Sequence, residues 1–567
     1  MISNIIKNYI FYLIPIICIF FSISYSIPQD SIDAALVQGN FINNNFDHQS
    51  YNGVLSSQFS LLIPIQIYLL KLGLSVIIIS QIILFFSVLM SFIGMYLMIK
   101  SIIRKAVDLR YAKLISFIFT YISIFVIGLN LGMGDYPVAI FGENTFGIYS
   151  ASMPTFIFGL LANGNIFFAF FFSFILLSVH GVAGLWILGI LTSTSIIYRY
   201  YFKNFFFPKY SIIGSIIGFL VFATYVLFMN NTHSIDLYGI SGFDLKILNY
   251  WDLYWETHRY IKEINHLYVF KSILLIVLLI FFLRFNKKYL DKKILFTLLS
   301  IILSIFFGLI LYIFYKIFLE FLPPFIKAPI SSRVFNTHSL IGWPIIFSIS
   351  IIMLKEFSIK TKIEFKKLFF IVYFLLTLII VNYNSKNLFN YIFAHYNKEE
   401  GIKSVLKNNP FKTRIMMFYH NTFYNKIDTK DFNFWNKIKN YDDKNYWIVV
   451  SPHHKDLARL GRKPILIDPN SFDFTYMSNS HLIFVKDIIE NVYNIPFNEP
   501  PEPPLKTYHG RVPNHLVKIE FENKNYKNWL DISNKYNVKY VLTPTSWNID
   551  LQIEFSSTDG LTLYKIN

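Results

Sequence analysis

The chain has almost no cysteine and few charged side chains. Its 567 residues include one cysteine, Cys18, so neither a disulfide within the chain nor a cysteine-based metal site is available. Charged residues make up 15% of the sequence, against roughly a quarter in an average soluble domain. The sequence also lacks a glycine-rich phosphate loop, a nucleophile elbow and zinc-ligand spacing. These absences exclude a disulfide-stabilised secreted domain and the soluble enzyme classes that those motifs mark.

What the chain has in abundance is long apolar runs. Hydrophobic residues make up 54% of the sequence, and the runs fill residues 9–382. Because about 20 apolar residues cross a bilayer as a helix, the pattern predicts a polytopic α-helical membrane protein with about eleven spans. The segment 54–72 is shorter and contains Pro64, so it predicts an interfacial or re-entrant helix. The predicted spans are 9–27, 74–98, 114–132, 152–163, 166–180, 183–199, 210–229, 266–284, 294–318, 338–354 and 368–383.

The distribution of lysine and arginine predicts the orientation. No basic residue occurs between Lys7 and Lys71 or between Lys113 and Arg199, whereas basic residues cluster at 100–113, 199–209, 284–293 and 355–367. Short basic loops lie in the cytoplasm, so the N-terminus is predicted to be cytoplasmic and the C-terminus extracytoplasmic, in a bacterial cytoplasmic membrane. The formal net charge of +17 is largely explained by these loops, and nucleic acid is not a predicted partner.

The last part of the chain has a different composition and predicts a second domain. We therefore divide the sequence into a transmembrane domain, residues 1–384, and an extracytoplasmic α/β domain, residues 385–567, called the tail below. Short apolar runs predict strands in the tail, and polar stretches between them predict helices. The predicted strands are Tyr446–Val450, Pro464–Ile467, Tyr540–Thr543, Ile553–Phe555 and Leu561–Tyr564, and the predicted helices are Phe434–Asn440 and Asn525–Tyr536.

The first outer loop carries carboxylates with no basic residue beside them. Asp30 and Asp33 follow the first predicted span and are candidate catalytic residues, because a carboxylate there could accept a proton from an acceptor hydroxyl. A solvated loop, with Asp33 beginning a helix, is the structural alternative. No metal site and no organic cofactor is predicted, although oxygen ligands of this kind could also hold a divalent cation.

Three further outer segments carry candidate substrate-binding residues. Glu143 lies in a loop rich in glycine and aromatics, which suits a sugar site or an ordinary surface loop. His180 lies at the outer end of a short span, where it lines a cavity, takes part in catalysis or is simply packed. His258 and Arg259 follow Trp251-Asp252-Leu253-Tyr254-Trp255, a pattern typical of a polar ligand site or of an amphipathic helix on the membrane surface.

Basic residues in the loop before the span at 338–354 form the most specific candidate site. Arg333, with Lys327 and His338 nearby, lies at headgroup depth, where a guanidinium can bind a phosphate through two hydrogen bonds. A snorkelling membrane anchor is the structural alternative. In the tail, Arg459 and Arg462 could pair with Asp468 or with a ligand.

Taken together, these features resemble the GT-C class of membrane glycosyltransferases, which use polyprenyl-phosphate-linked sugars. The resemblance covers nearly the whole chain and rests on the acidic first outer loop, the apolar spans and the α/β tail. In the tail it is carried by Leu460-Gly461-Arg462-Lys463-Pro464-Ile465-Leu466-Ile467-Asp468 and by the closing Tyr536–Leu542. The Trp-Trp-Asp-Tyr-Gly signature of oligosaccharyltransferases does not occur in the tail, which disfavours protein N-glycosylation.

The resemblance implies an enzyme that moves a sugar from a polyprenyl-phosphate donor to a glycan or lipid acceptor at the outer face. It implies that Asp30 or Asp33 is the catalytic acidic residue and that Arg333 contacts the lipid phosphate. Membrane lipid, the lipid-linked sugar and the acceptor are then the expected partners. The rival interpretation is non-enzymatic: a carrier or flippase for a lipid-linked glycan, or an envelope assembly factor.

Overall fold

The computed structural model of the chain describes residues 31–42, 51–56, 58–121, 123–124, 148–203, 209–232, 244–255, 264–322, 340–362, 364–365, 432–441, 445–450, 453, 456–467, 479–500, 514–558 and 560–566. The predicted spans 9–27 and 368–383 lie outside these residues. Up to residue 365 the described structure is helical. Its α-helices are α1 (Ser31–Gln38), α2 (Tyr51–Ser56), α3 (Leu62–Lys71), α4 (Val76–Ile103), α5 (Leu109–Tyr121), α6 (Tyr149–Asn163), α7 (Ile166–Val179), α8 (Gly181–Phe202), α9 (Lys209–Thr232), α10 (Leu245–Tyr250), α11 (His266–Phe285), α12 (Lys292–Phe318) and α13 (Gly342–Thr361).

Six of the described helices are long and apolar enough to cross a membrane, namely α4, α8, α9, α11, α12 and α13. The chain is therefore a multi-pass membrane protein. Two of the predicted spans, 152–163 and 166–180, form the 15-residue α6 and the 14-residue α7. At a rise of about 1.5 Å per residue these two helices are shorter than a bilayer core of about 30 Å. The predicted number of eleven spans is thus not reached within the described residues.

Small residues let the central helices pack closely. A Cβ atom at Gly159 of α6 would lie 2.3 Å from the carbonyl oxygen of Gly94 in α4, so the two backbones meet at these glycines. Gly214 and Gly218 of α9 approach the backbone of α7 in the same way. Contacts between small residues are typical of membrane helices, which cannot rely on the hydrophobic effect to associate.

One end of the bundle, which we call the basic end, gathers the basic loops. Arg104 at the end of α4 forms an ion pair with Asp291, whose carboxylate also caps α12 by accepting the Ile294 N–H at 3.0 Å. Lys288 pairs with Glu356 of α13 at 2.8 Å. These contacts bring Arg104, the segment 288–291 and the end of α13 together at one end, so described residues of three basic clusters meet there.

The described part of the tail contains a four-stranded mixed sheet. Strand β1 (Tyr446–Val449) is parallel to β2 (Val538–Pro544), and β4 (Leu561–Lys565) pairs antiparallel with both β2 and β3 (Gln552–Ser556), giving the order β1-β2-β4-β3. The predicted segment Pro464–Ile467 contributes a single bridge, from Ile465 to Trp447. The helices are α14 (Phe432–Lys439), α15 (Asn479–Asn491), α16 (Asn514–Glu522) and α17 (Tyr526–Tyr536).

The two faces of the sheet belong to two different cores. One face, which includes Trp447 and Tyr540, packs with α14 in a core that continues into α1 and the bundle. The other face, which includes Val541 and Tyr564, packs with α15 and α17 in a core that also contains Trp251. The sheet therefore lies between two connections of the bundle, one that contains α1 and one that contains Trp251, and shares its cores with them. The end of the bundle that contacts the sheet is called the tail end below.

Candidate functional site

A short loop of the tail presents its basic residues to the first outer loop. The chain turns through a π-helical segment, Leu457–Gly461, and leaves it at Arg462 with a positive φ of 56°. A Cβ atom at Gly461 would lie 2.9 Å from the Ile438 side chain, so the glycine lets this turn pack closely against α14. Lys463 then donates to the carbonyl oxygens of Lys439 and Tyr441 and fixes the loop to the end of α14.

Arg459 forms a buried ion pair with Asp33. Its Nε atom donates to Asp33 Oδ1 and its Nη2 atom donates to Oδ2, both at 2.8 Å. The two side chains are 4% and 3% exposed. This bidentate geometry is the strongest arrangement that an arginine and a carboxylate adopt, and it joins residues 426 positions apart in the sequence.

The pairing defines the surroundings of the Asp33 carboxylate. The sequence predicts Asp33 as a candidate general base, but in this structure both of its oxygens already accept hydrogen bonds from Arg459, and bulk solvent does not reach it. Asp33 lies in the first turn of α1 and is the ion-pair partner of Arg459 in this structure. Its role as a general base stays a prediction.

Arg462 is the second guanidinium at this junction. Its carbon Cζ lies 5.9 Å from the centre of the Phe41 ring, in the turn that follows α1. Its Nη1 atom is buried and has no hydrogen-bond partner among the described residues. Burial lowers the pKa of the Arg462 guanidinium to about 10, and the nearby Asp33 carboxylate acts in the opposite direction. Among the described residues, the Asp33 carboxylate acts on both guanidiniums, whereas Asp468, the other predicted partner, lies outside the described residues.

His180 takes a capping position at the tail end. Its Nδ1 atom accepts a hydrogen bond from the Ala183 N–H at 3.3 Å, which caps the first turn of α8. Close by, the Ser60 hydroxyl donates to the Val179 carbonyl oxygen at 2.9 Å, which ties the segment before α3 to the end of α7. These contacts place His180 at the same end as the first outer loop.

The segment before His258 does not lie free on the membrane surface. Trp251–Trp255 forms a π-helical turn whose Trp251 and Trp255 rings stack on Phe497 of the tail. The Trp255 Nε1–H also donates to the Phe497 carbonyl oxygen at 2.9 Å. The aromatic face of this turn is therefore covered by the tail, whereas His258 and Arg259 lie outside the described residues and stay predicted binding residues.

Several predicted site residues lie outside the described residues, namely Asp30, Glu143, His258, Arg259, Lys327, Arg333 and His338. Within the described part of the chain, no group of three histidine, cysteine, aspartate or glutamate residues could hold a metal ion. Sequence reasoning noted Arg459 but missed its partner. A usable signal existed, because the first loop contains no lysine or arginine, so a buried carboxylate there must find its cation elsewhere.

Comparison with known proteins adds one structural likeness. No protein-family model matches the sequence, and no curated protein matches it. One solved structure that is similar is the archaeal oligosaccharyltransferase AglB from Archaeoglobus fulgidus, in complex with an inhibitory peptide and a dolichol-phosphate. The match has a TM-score of 0.41 and 10% sequence identity, and it covers 95% of this chain and 70% of that chain. A likeness of this size does not decide the fold or the activity.

Proposed function

We propose that this chain is a GT-C-type membrane glycosyltransferase that moves a sugar from a polyprenyl-phosphate donor to a glycan or lipid acceptor at the extracytoplasmic face. The observation that carries the proposal is the buried Asp33–Arg459 pair, which holds the α/β tail against the first outer loop of a multi-pass bundle. A lipid-linked donor brings its phosphate to headgroup depth, whereas the acceptor arrives from the aqueous side. The reaction therefore needs lipid-embedded helices and a polar domain joined at one end of the molecule.

The proposed reaction exchanges one glycosidic bond for another. The bond between the sugar and the donor phosphate breaks, a bond to the acceptor oxygen forms, and polyprenyl phosphate leaves as an anion. Asp30 is the proposed base that takes the acceptor proton, because Asp33 is engaged with Arg459. Arg333, helped by Lys327, His338 and His258, is proposed to stabilise the charge that develops on the leaving phosphate. Glu143, Arg259 and His180 are proposed to line the sugar or acceptor site.

One observation favours a second candidate. Of Asp30 and Asp33, the structure describes Asp33 alone, and this carboxylate is buried and paired with Arg459. Such a pair is expected if the first outer loop binds the tail rather than transfers a proton. A non-enzymatic carrier or flippase for a lipid-linked glycan, or an envelope assembly factor, would need such docking and no base.

A transfer assay separates the two candidates. Full-length protein in nanodiscs is given polyprenyl phosphates that carry a radiolabelled hexose, together with extracted envelope glycans and glycolipids. The enzyme predicts labelled acceptor and released polyprenyl phosphate, a rate about 10²–10⁴-fold lower for Asp30→Asn, and an unchanged rate for Asp531→Asn, an exposed carboxylate in α17. Movement of the intact lipid-linked sugar across the bilayer of proteoliposomes, without labelled acceptor, would establish the carrier instead.

A further inference from the structure

Arg462 has the properties of a ligand-binding residue rather than of a packing residue. Arg459, three residues earlier, donates hydrogen bonds to both carboxylate oxygens of Asp33. Arg462 has no such partner at its buried Nη1 atom among the described residues. Its backbone has the left-handed conformation, with φ at 56°, which a side chain other than glycine adopts at a cost. The buried Nη1 atom therefore has a hydrogen bond to donate that no described residue accepts.

The unpartnered Nη1 atom of Arg462 indicates which kind of ligand would bind there. A buried charge without a partner lowers stability, whereas the same charge is favourable when an opposite charge and good hydrogen-bond geometry complete it. Among the described residues, Asp33 is the carboxylate that acts on both guanidiniums, and an anion is the component that would complete the hydrogen bonding of Arg462. A planar guanidinium is best matched by an oxyanion that accepts two parallel hydrogen bonds, such as a phosphate.

The position of Arg462 beside Phe41 indicates which phosphate compounds would fit. The residue faces Phe41, directly after α1, and α1 follows the first predicted span within the first outer loop. Phe41 supplies an aromatic face that shields the guanidinium from water and interacts favourably with it. A guanidinium beside an aromatic ring suits a phosphate group that carries an apolar chain.

We propose that Arg462 binds a phosphate group at the junction between the tail and the first outer loop. The inference rests on the proposed function and deepens it, because it assigns a residue of the tail to the phosphate of the lipid-linked substrate or of the released polyprenyl phosphate. Arg459 and Asp33 position the loop, Arg462 contacts the phosphate, and Phe41 covers the guanidinium. A free phosphate ion offers the same oxygens and is the other source of this ligand.

The test is a binding measurement on the full-length protein in a maltoside detergent, which contains no phosphate. The probes are farnesyl phosphate, inorganic phosphate and farnesol, and the readout is the thermal unfolding midpoint as a function of probe concentration. The variant is Arg462→Met, which keeps the aliphatic stem and removes the charge. Lys362→Met is the matched control, because Lys362 is basic, has a positive φ of 56° and is exposed at the basic end.

A phosphate site predicts that farnesyl phosphate raises the unfolding midpoint of the wild type and of Lys362→Met, and that Arg462→Met binds at least about tenfold more weakly. Without any probe, Arg462→Met should be as stable as the wild type or more stable, because a partly buried guanidinium whose Nη1 atom lacks a described partner has been removed. Equal binding of inorganic phosphate would assign the site to free phosphate, and a preference for farnesyl phosphate would assign it to the lipid.

Three results would overturn the proposal: no stabilisation of the wild type by either phosphate, equal binding of farnesol, or a lowered midpoint of Arg462→Met without probe, which is the signature of a structural residue. This measurement is independent of turnover. Phosphate binding without sugar transfer would support the phosphate site and contradict the proposed enzyme activity. Sugar transfer at an unchanged rate in Arg462→Met would support the enzyme activity and contradict the phosphate site.

Discussion

Asp33 and Arg459 each depend on the other for their buried position. A carboxylate or a guanidinium that is alone inside a protein loses several kcal/mol of hydration, and an excellent pair recovers most of it. The sequence shows that the first loop has acidic residues and no basic one, so an unusual environment could be predicted there. The partner could not be predicted, because it lies 426 residues away and depends on how the tail folds.

Lys524 is a second buried cation in the tail. Its Nζ atom donates to the Glu520 carbonyl oxygen at 3.4 Å and lies 5.4 Å and 5.9 Å from the centres of the Phe521 and Trp529 rings. Burial lowers the pKa of Lys524 from 10.5 to about 8, and Glu520 acts in the opposite direction. At neutral pH the folded tail therefore holds a charge that it would be more stable without.

The pH dependence of stability should reveal this lysine. Between about pH 8 and pH 10.5 the unfolded chain binds more protons at Lys524 than the folded chain does, so this residue makes stability rise with pH in that window. Lys524→Met should be more stable than the wild type at pH 7, by at most about 3 kcal/mol, and the difference should disappear towards pH 10.5. Urea unfolding at several pH values measures it, with the exposed Lys527→Met as the control. A difference that does not vary with pH would contradict the assignment.

At the scale of elements, hydropathy predicted the helices well where the runs are long. The predicted spans 74–98, 266–284 and 294–318 appear as α4, α11 and α12, and the short segment 54–72 contains the ten-residue α3. In the tail, four of the five predicted strands pair in the sheet. Patterning succeeds here because a membrane forces the backbone to satisfy its own hydrogen bonds, which makes helices the default.

Two segments differ in structure from what their local composition predicts, because contacts with residues distant in sequence determine their conformation. Pro464–Ile467 has the composition of a strand but makes a single bridge, from Ile465 to Trp447 of β1. Trp251–Trp255 has the composition of a surface helix, but its rings stack on Phe497 from the tail. Neither partner is close in sequence, so neither outcome could be predicted from local composition.

The crossing of α4 and α6 gives a prediction at this scale. Gly159→Ala places a Cβ atom 2.3 Å from the Gly94 carbonyl oxygen, so the two helices must move apart. We expect a loss of about 1–3 kcal/mol in stability and a lower thermal midpoint in detergent. Gly189→Ala in α8 is the matched control, since no heavy atom lies within 4 Å of its Cβ position. Equal midpoints for the two variants would show that the close helix crossing is absent.

At the scale of the whole molecule, the described contacts separate two ends. Arg104, Asp291, Lys288 and Glu356 meet at the basic end, whereas Asp33, Arg459 and the Trp251–Trp255 turn meet at the tail end. The positive-inside rule then predicts that the basic end is cytoplasmic and the tail extracytoplasmic. The distribution of charge in the sequence gives this orientation, and the contacts show which loops share an end.

Cysteine labelling tests the orientation. In a Cys18→Ser background, Lys105→Cys reports on the basic end and Lys527→Cys on the tail, and both positions are exposed. A membrane-impermeant maleimide applied to intact cells, after permeabilisation of any outer membrane, should label the tail cysteine. The Lys105→Cys protein should react only once the cytoplasmic membrane is opened. Labelling of both positions in intact cells, or the reverse pattern, would refute the predicted topology.

The central claim is that the Asp33–Arg459 pair holds the tail against the first outer loop. A double-mutant cycle at these two residues tests that claim most directly. The unfolding free energies of the wild type, Asp33→Asn, Arg459→Gln and the double variant are measured with urea in detergent. We predict a loss of about 3–5 kcal/mol for each single variant and a coupling energy of at least about 1.5 kcal/mol, because the second substitution removes a charge that the first left unpaired. Losses that add to within about 0.5 kcal/mol would contradict docking through this pair.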